Sequence, residues 1–297
     1  MHNGWTGGQY SLFRWCLGIS IAAESAQRLR GEYAATSVAA IGIVAAVFLA
    51  VGAWDRTAAV AVWVTLVVSG PLPVTHWLLL IHVGLPAAPY GSWAARGRPD
   101  PDGGWYMPHR ARIAAWTLLA VVFGSGLFHH PPLAWLIGVP EVGGLLLVLL
   151  LAFDPGWVPP VRSREPWVLF YDGTCGLCHR TVRFLLAEDR RASLRFAPLD
   201  SDVFRRAVPE AARPALPDSL VLRAEDGALL TRSAAVLIAC QRLGGLWRLL
   251  AALAGWVPRP LRDLVYRGIA SIRYRVFHRP EEACPIIPDR LRSRFLA

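Results

Sequence analysis

Residues Ala34–Ala53 run for twenty positions without a charged side chain. A stretch that long either fills a protein core or crosses a bilayer, whose hydrocarbon takes about 20 helical residues to span. Further apolar segments fall at 11–29, 57–70, 74–89, 111–129 and 133–153. The third and fourth in chain order are separated only by Gly70-Pro71-Leu72-Pro73. The pattern predicts an α-helical polytopic membrane bundle of six spans. The alternative is five, with 57–89 as one kinked or re-entrant segment.

Charge divides the chain at the same place. All 31 basic residues are arginine, and the net charge is +10. Residues 1–160 hold 8 Arg against 7 acidic residues, and 161–297 hold 23 against 14. This predicts a membrane domain over 1–153, a proline-rich linker over 154–166 and a separate α/β domain over 167–297. With six spans and the N-terminus inside, Arg56, Arg96, Arg98, Arg110, Arg112, Arg162 and Arg164 share the inner side. Only Arg28 and Arg30 lie outside. The positive-inside rule then gives a multi-pass inner-membrane protein, in contact with the lipid bilayer, whose C-terminal domain faces the cytoplasm. The arginines are scattered and form no nucleic-acid-binding motif, so nucleic acid is not expected as a partner. Five cysteines are too few for a disulfide framework. No cleavable signal peptide is expected, because Arg14 and Glu24 interrupt the first apolar run. The sequence does not indicate an oligomeric state.

The second half reads element by element. Strands are expected at Trp167–Tyr171, Leu194–Pro198, Leu220–Arg223 and Leu229–Thr231, the last two joined at Glu225-Asp226-Gly227. Helices are expected at Gly176–Glu188, at Asp200–Ala212 with Asp200 or Ser201 as cap, and at Ser233–Leu243 capped by Ser233. The order β-α-β-α-β-β-α is that of a thioredoxin fold. In that fold a cis-proline precedes the third strand, and Pro217 holds the position.

Cys175-Gly176-Leu177-Cys178 sits on the first strand-to-helix turn. The first sulfur then lies at a helix N-terminus, where unpaired N–H groups and the helix dipole favour a thiolate. The second lies about one turn later, within reach of a disulfide. This predicts a thiol–disulfide exchange site, with Cys175 as the exposed attacking sulfur and Cys178 resolving the mixed disulfide. Asp172 either handles a proton or ties the turn. Gly173 belongs to the same loop. His179 is read first as a helix-surface residue and second as a stabiliser of the thiolate. Cys240 is read as core packing, and Cys284 as structural or as a third redox thiol.

Three stretches carry a resemblance: Tyr171-Asp-Gly-Thr-Cys-Gly-Leu-Cys-His179, Pro217-Asp-Ser-Leu-Val-Leu222 and Arg242-Leu-Gly-Gly-Leu-Trp247. Together they resemble the DCC family of predicted thiol–disulfide oxidoreductases over 166–297. The resemblance implies a thioredoxin-like fold, a redox function, and a signature formed here by Asp172, Cys175 and Cys178. More weakly, Gly52–Thr57 and Pro86–Trp93 resemble the DoxX-like family and the membrane domain similar to vitamin K-dependent carboxylase (HTTM). Carboxylase chemistry looks to need a lysine base, which this chain lacks.

Other chemistries compete for the same residues. Cys175-x-x-Cys178-His179 also matches a c-type haem attachment motif, but the flanking strand and helix favour exchange. A zinc site would draw on Cys175, Cys178, His179 and Cys284. Neither metal nor haem is taken into the reading, and exchange requires no cofactor. In the membrane half Arg14, Glu24, His76, His82 and Glu141 form a candidate intramembrane site, because burying such groups is costly. A quinone near His76 or Glu141 is one reading of it. The leading reading is a membrane-anchored protein-disulfide reductase acting on a protein or a low-molecular-weight thiol or disulfide. The alternative from another class is a membrane scaffold with structural thiols.

Overall fold

The computed structural model describes residues 4–30, 36–68, 74–129, 139–216, 220–277 and 288–296. Pro217 and Cys284 lie outside them. The chain divides into two compact units, Met1–Arg96 with Gly104–Asp154, and Gly97–Gly103 with Pro155–Ala297.

The first unit is helical. Its helices are α1 (Gly7–Arg30), α2 (Thr36–Val51), α3 (Asp55–Val68), α4 (Val74–Val83), α5 (His109–His129) and α6 (Val139–Ala152). Helix α1 packs against α2, α4 and α6, and α3 bridges α2 to α4. Trp5, Phe13, Leu17, Ile21, Ala46, Leu49 and Leu78 form much of the buried interior. Asp154 pins both ends of the unit: its carboxylate accepts from Gly4 N at 3.0 Å and from Arg112 Nη1 at 2.7 Å.

The six apolar runs form helices, but not spans. Among the described residues no helix is long and apolar enough to cross a membrane. Helix α2, the core of the charge-free run, has 16 residues, α3 and α6 have 14 each, and α4 has 10. At 1.5 Å per residue they reach only about 24, 21, 21 and 15 Å, against a hydrocarbon core of about 30 Å. Helix α1 has the length but carries Arg14, Glu24, Arg28 and Arg30 along it. The polytopic bundle is therefore corrected to a helical region followed by a small mixed-sheet domain. The multi-pass inner-membrane placement falls with it, since arginine bias orients spans and there is none among the described residues to orient. The apolar residues that suggested spans are real, and some stay exposed, including Trp15, Ile41, Val44 and Val60. Composition carries no information on where a helix stops, and turns after Val51 and Val83 end α2 and α4.

The second unit is built on four strands, β1 (Trp167–Tyr171), β2 (Leu194–Pro198), β3 (Val221–Arg223) and β4 (Leu229–Thr231), in the order β2-β1-β3-β4. Strand β1 is parallel to β2 and antiparallel to β3, and β3 is antiparallel to β4. Side chains of β1 alternate between faces. Leu169 and Tyr171 pack with α7 (Gly176–Glu188) and α9 (Arg232–Leu243), while Phe170 packs with Phe204 and Val208 on the other face. The β2 edge is covered by the C-terminal tail, where Phe196 N donates to Arg294 O and Leu296 N to Phe196 O, both at 2.8 Å.

Three local expectations shift. The second helix, α8, runs only over Asp202–Ala207, because Pro209 restricts the residue before it and ends the helix. Ser201 is its cap, its Oγ accepting from Phe204 N at 3.2 Å. Ser233 does not cap α9: the helix begins at Arg232, and Ser233 Oγ bonds Asp263 instead. Beyond α9 the chain adds α10 (Gly245–Gly255), α11 (Arg259–Val276) and the short α12 (Asp289–Arg292).

Candidate functional site

The cysteine pair sits where β1 hands over to α7. Tyr171 ends the strand, and Asp172 to Thr174 form the turn. Asp172 Oδ1 accepts from Thr174 N and from Thr174 Oγ1, both at 2.8 Å, so its carboxylate folds the turn. Cys175 takes the N-cap position of α7 with extended backbone, and its Sγ accepts from Cys178 N at 3.4 Å. That sulfur does what a serine or aspartate oxygen does at other helix starts.

Exposure departs from expectation. Cys175 is 0% exposed and Cys178 5%, and both belong to the core cluster formed by Leu169, Tyr171, Val182 and Leu222. The expected exposed nucleophile is a buried one. Burial pushes the Cys178 thiol up to about 12, with its hydrogen bond and charge coupling to Cys175 adding to the effect.

Asp172 reaches a second element that the sequence reading did not include. Its Oδ2 accepts from Tyr274 Oη at 2.8 Å and lies 4.0 Å from Arg273 Nη2, both on α11. Burial alone raises this carboxyl. The hydrogen bonds from Thr174 and Tyr274 and the Arg273 charge outweigh it, and the net shift is downward. Asp172 is therefore an anion at neutral pH, which suits tying the turn and α11 together. His179 is half-buried, and its Nε2 lies 2.8 Å from Gly173 O. Its ring meets Tyr171 edge-on at 5.8 Å, so it braces the turn. Gly173 thus serves the loop through its carbonyl. Cys240, on α9, is partly buried, with its thiol pushed up to about 11 by burial. Among the described residues no three His, Cys, Asp or Glu side chains gather as metal ligands.

A capping sulfur and a second thiol one turn on thus lie together at the start of α7. The model of the DCC1-like thiol-disulfide oxidoreductase family matches residues 169–279. The uncharacterised protein YuxK of Bacillus subtilis (strain 168) is 33% identical over 129 residues, covering 43% of this chain and 93% of that protein. The chain belongs to the DCC1-like family. A chloroplastic DCC family protein of Arabidopsis thaliana is 30% identical over 130 residues, covering 42% of this chain and 75% of that protein. No solved structure matches. The family model lies within the second unit and does not reach residues 1–153. The DoxX-like and carboxylase-like readings of those residues gain no support from it.

The candidate polar residues of the first unit separate into two places. Arg14 and His82 meet through Asp55, at 3.6 Å and 3.8 Å from its Oδ2. His82 Nδ1 is hydrogen-bonded to Tyr10 Oη at 2.5 Å. Glu24 lies elsewhere and accepts from Thr75 Oγ1 at 3.0 Å. His76 is buried on α4. Glu141 falls on α6, but its side chain is outside the described residues. Tyr10 and Asp55 were missed. Their signal was present: Tyr10 stands four residues before Arg14 on one helix face, and Asp55 opens α3. Gly52 makes room for Arg14. It has φ of 74°, and an added Cβ would fall 1.6 Å from Arg14 Nη1.

Proposed function

We propose that the second unit performs dithiol–disulfide exchange through Cys175 and Cys178. The observation that carries the reading is Cys175 Sγ at the start of α7 with Cys178 N–H aimed at it. The sulfur thus has a backbone hydrogen-bond donor and sits one residue before the helix. Cys178, held protonated at neutral pH by burial, is the natural second thiol.

In the reductive direction the Cys175 thiolate attacks one sulfur of a substrate disulfide. A mixed disulfide forms, and the other substrate sulfur leaves and takes a proton. Cys178 then gives up its proton and attacks Cys175 Sγ. The Cys175–Cys178 disulfide forms and the second substrate sulfur leaves as a thiol. Two protein thiols are oxidised and one disulfide is reduced. Asp172 is a positioning residue, fixing the turn and docking α11. The substrate is a protein or a low-molecular-weight disulfide, and a protein-disulfide reductase is the specific activity proposed.

Exchange assays on single variants test this. Cys175→Ser should abolish exchange, and Cys178→Ser should accumulate the mixed disulfide. A second reading, in which the thiols only fill the core and the unit binds a partner, draws on the full burial of Cys175. Wild-type exchange at the rate of an unstructured thiol would select it.

A further inference from the structure

Helix α11 has one face against the sheet unit and one bare apolar face. Arg273 is buried, and Tyr266 and Ala270 on the same side are half-buried. At about 3.6 residues per turn, Leu261, Leu264, Val265 and Ile272 fall on the other side. All four are exposed. Leu253 near the end of α10 and Trp256 in the connecting turn extend the run, and Trp256 is 86% exposed. Apolar side chains exposed singly are ordinary, but a run of this kind rimmed by charge marks a surface that meets a partner.

The charge around the face has one sign. Residues 244–277 contain six arginines and one acidic residue, Asp263. Asp263 is already engaged, accepting from Ser233 N at 3.3 Å and lying 3.5 Å from Arg259 Nε. Arg267 borders the apolar stripe, Arg275 falls within it, and both are exposed. The partner must therefore offer apolar depth beneath negative charge. A second copy of the chain does not, because a two-fold contact would set the same arginines against each other. An anionic bilayer does. Its headgroups meet the guanidinium groups, and its acyl boundary takes the Leu, Val and Trp side chains.

We propose that α10 and α11 dock the sheet unit on an anionic lipid surface, lying in the interface without crossing it. Five arginines along α11 and the 11-residue length of α10 exclude either as a span. Neither cysteine takes part, so the inference stands apart from the exchange reading. Helix α11 also carries Tyr274, which donates to Asp172, so the docked helix is the one that braces the thiol turn.

The test mixes the full chain with vesicles of phosphatidylcholine alone, or of phosphatidylcholine with phosphatidylglycerol. Co-sedimentation gives the affinity, and hydrogen exchange read by peptide mass locates the contact. The mixed vesicles should bind the chain and slow exchange over α10 and α11. Leu264→Glu with Val265→Glu, both at exposed positions, should remove that slowing. Arg267→Gln with Arg275→Gln should weaken binding to the mixed vesicles roughly 25-fold, about fivefold per arginine. The arginine pair carries the test should the glutamate pair fail to fold. No slowing over α10 and α11 on the mixed vesicles would overturn the proposal, whatever the rest of the chain does. Equal binding to phosphatidylcholine alone would overturn the anionic surface. Slowing without vesicles that is lost on dilution would assign the face to a second copy instead. Slowing by polyglutamate but not by the mixed vesicles would assign it to an acidic protein.

Discussion

Both units bury arginine, and Arg14 and Arg294 are held differently. Arg14 of the helical unit is 0% exposed, yet its carboxylate partner Asp55 is 3.6 Å away. Its bond to Ser11 Oγ is 3.4 Å long, and its Nε and Nη1 make no hydrogen bond. Arg294 of the sheet unit donates to Leu194 O at 2.7 Å and to Asp189 Oδ2 at 2.6 Å. Asp189 in turn accepts from Ser193 N at 3.1 Å and Leu194 N at 2.9 Å. One charge is tied into strand backbone, and the other depends mainly on one side chain. A buried ion pair stabilises only when its remaining hydrogen-bonding capacity is met. Arg294 is therefore the better-specified of the two, and it lies in the unit that carries the thiols, where the buried Arg242 also leaves its Nε and Nη1 without a hydrogen bond.

The largest expected effect lies at Arg294. Arg294→Ala should cost about 3–5 kcal/mol in denaturant unfolding of the sheet unit, because Asp189 is left buried and unpaired. A loss below about 1 kcal/mol would erase the contrast.

Next comes a pH dependence of the sheet unit. Burial raises the folded thiols of Cys178 and Cys240 to about 12 and about 11, above an unfolded value of about 8.5. A raised pKa contributes stability that is fully present below the unfolded value and is lost as pH rises toward the folded one. Between about pH 8.5 and 11, stability should fall by up to about 1.4 kcal/mol per pH unit per thiol. The Cys178→Ala, Cys240→Ala double variant should flatten that slope, as measured by chemical denaturation across the range.

A smaller effect is expected where α11 docks. Tyr274→Phe removes the hydrogen bond to Asp172 and should cost about 1 kcal/mol. If opening of α11 limits access, alkylation of the cysteine pair should rise roughly fivefold. An unchanged alkylation rate would show that α11 does not guard the site. The smallest effect belongs to the helical unit: Arg14→Leu combined with Asp55→Leu should change stability by about 1 kcal/mol or less, because a loosely satisfied pair is replaced by apolar volume.

The two units were also unequally legible. All four strands of the sheet unit fall within one residue of their sequence placement, and α7 matches it end to end. Short alternating runs bounded by turn residues determine both type and ends. The turn-tying role of Asp172 was legible as one of two, and its bonds to Thr174 are what that role requires. What lay beyond reach was long-range. Tyr274 is 102 residues from Asp172, and nothing local in either segment announces the pair. The burial of Cys175 depends on packing that a motif does not encode. In the helical unit the apolar runs gave helices but misjudged their lengths. Asp55 lies between the apolar runs 34–53 and 57–70 and was given no role there, and it is the link between Arg14 and His82.

The most direct test of the account is to treat full-length Cys178→Ser with bis(hydroxyethyl) disulfide and map the product by intact and peptide mass. The account predicts a single mercaptoethanol adduct on Cys175, absent when Cys175 is also replaced by serine. An unmodified Cys175, or an adduct confined to Cys16 or Cys240, would contradict it.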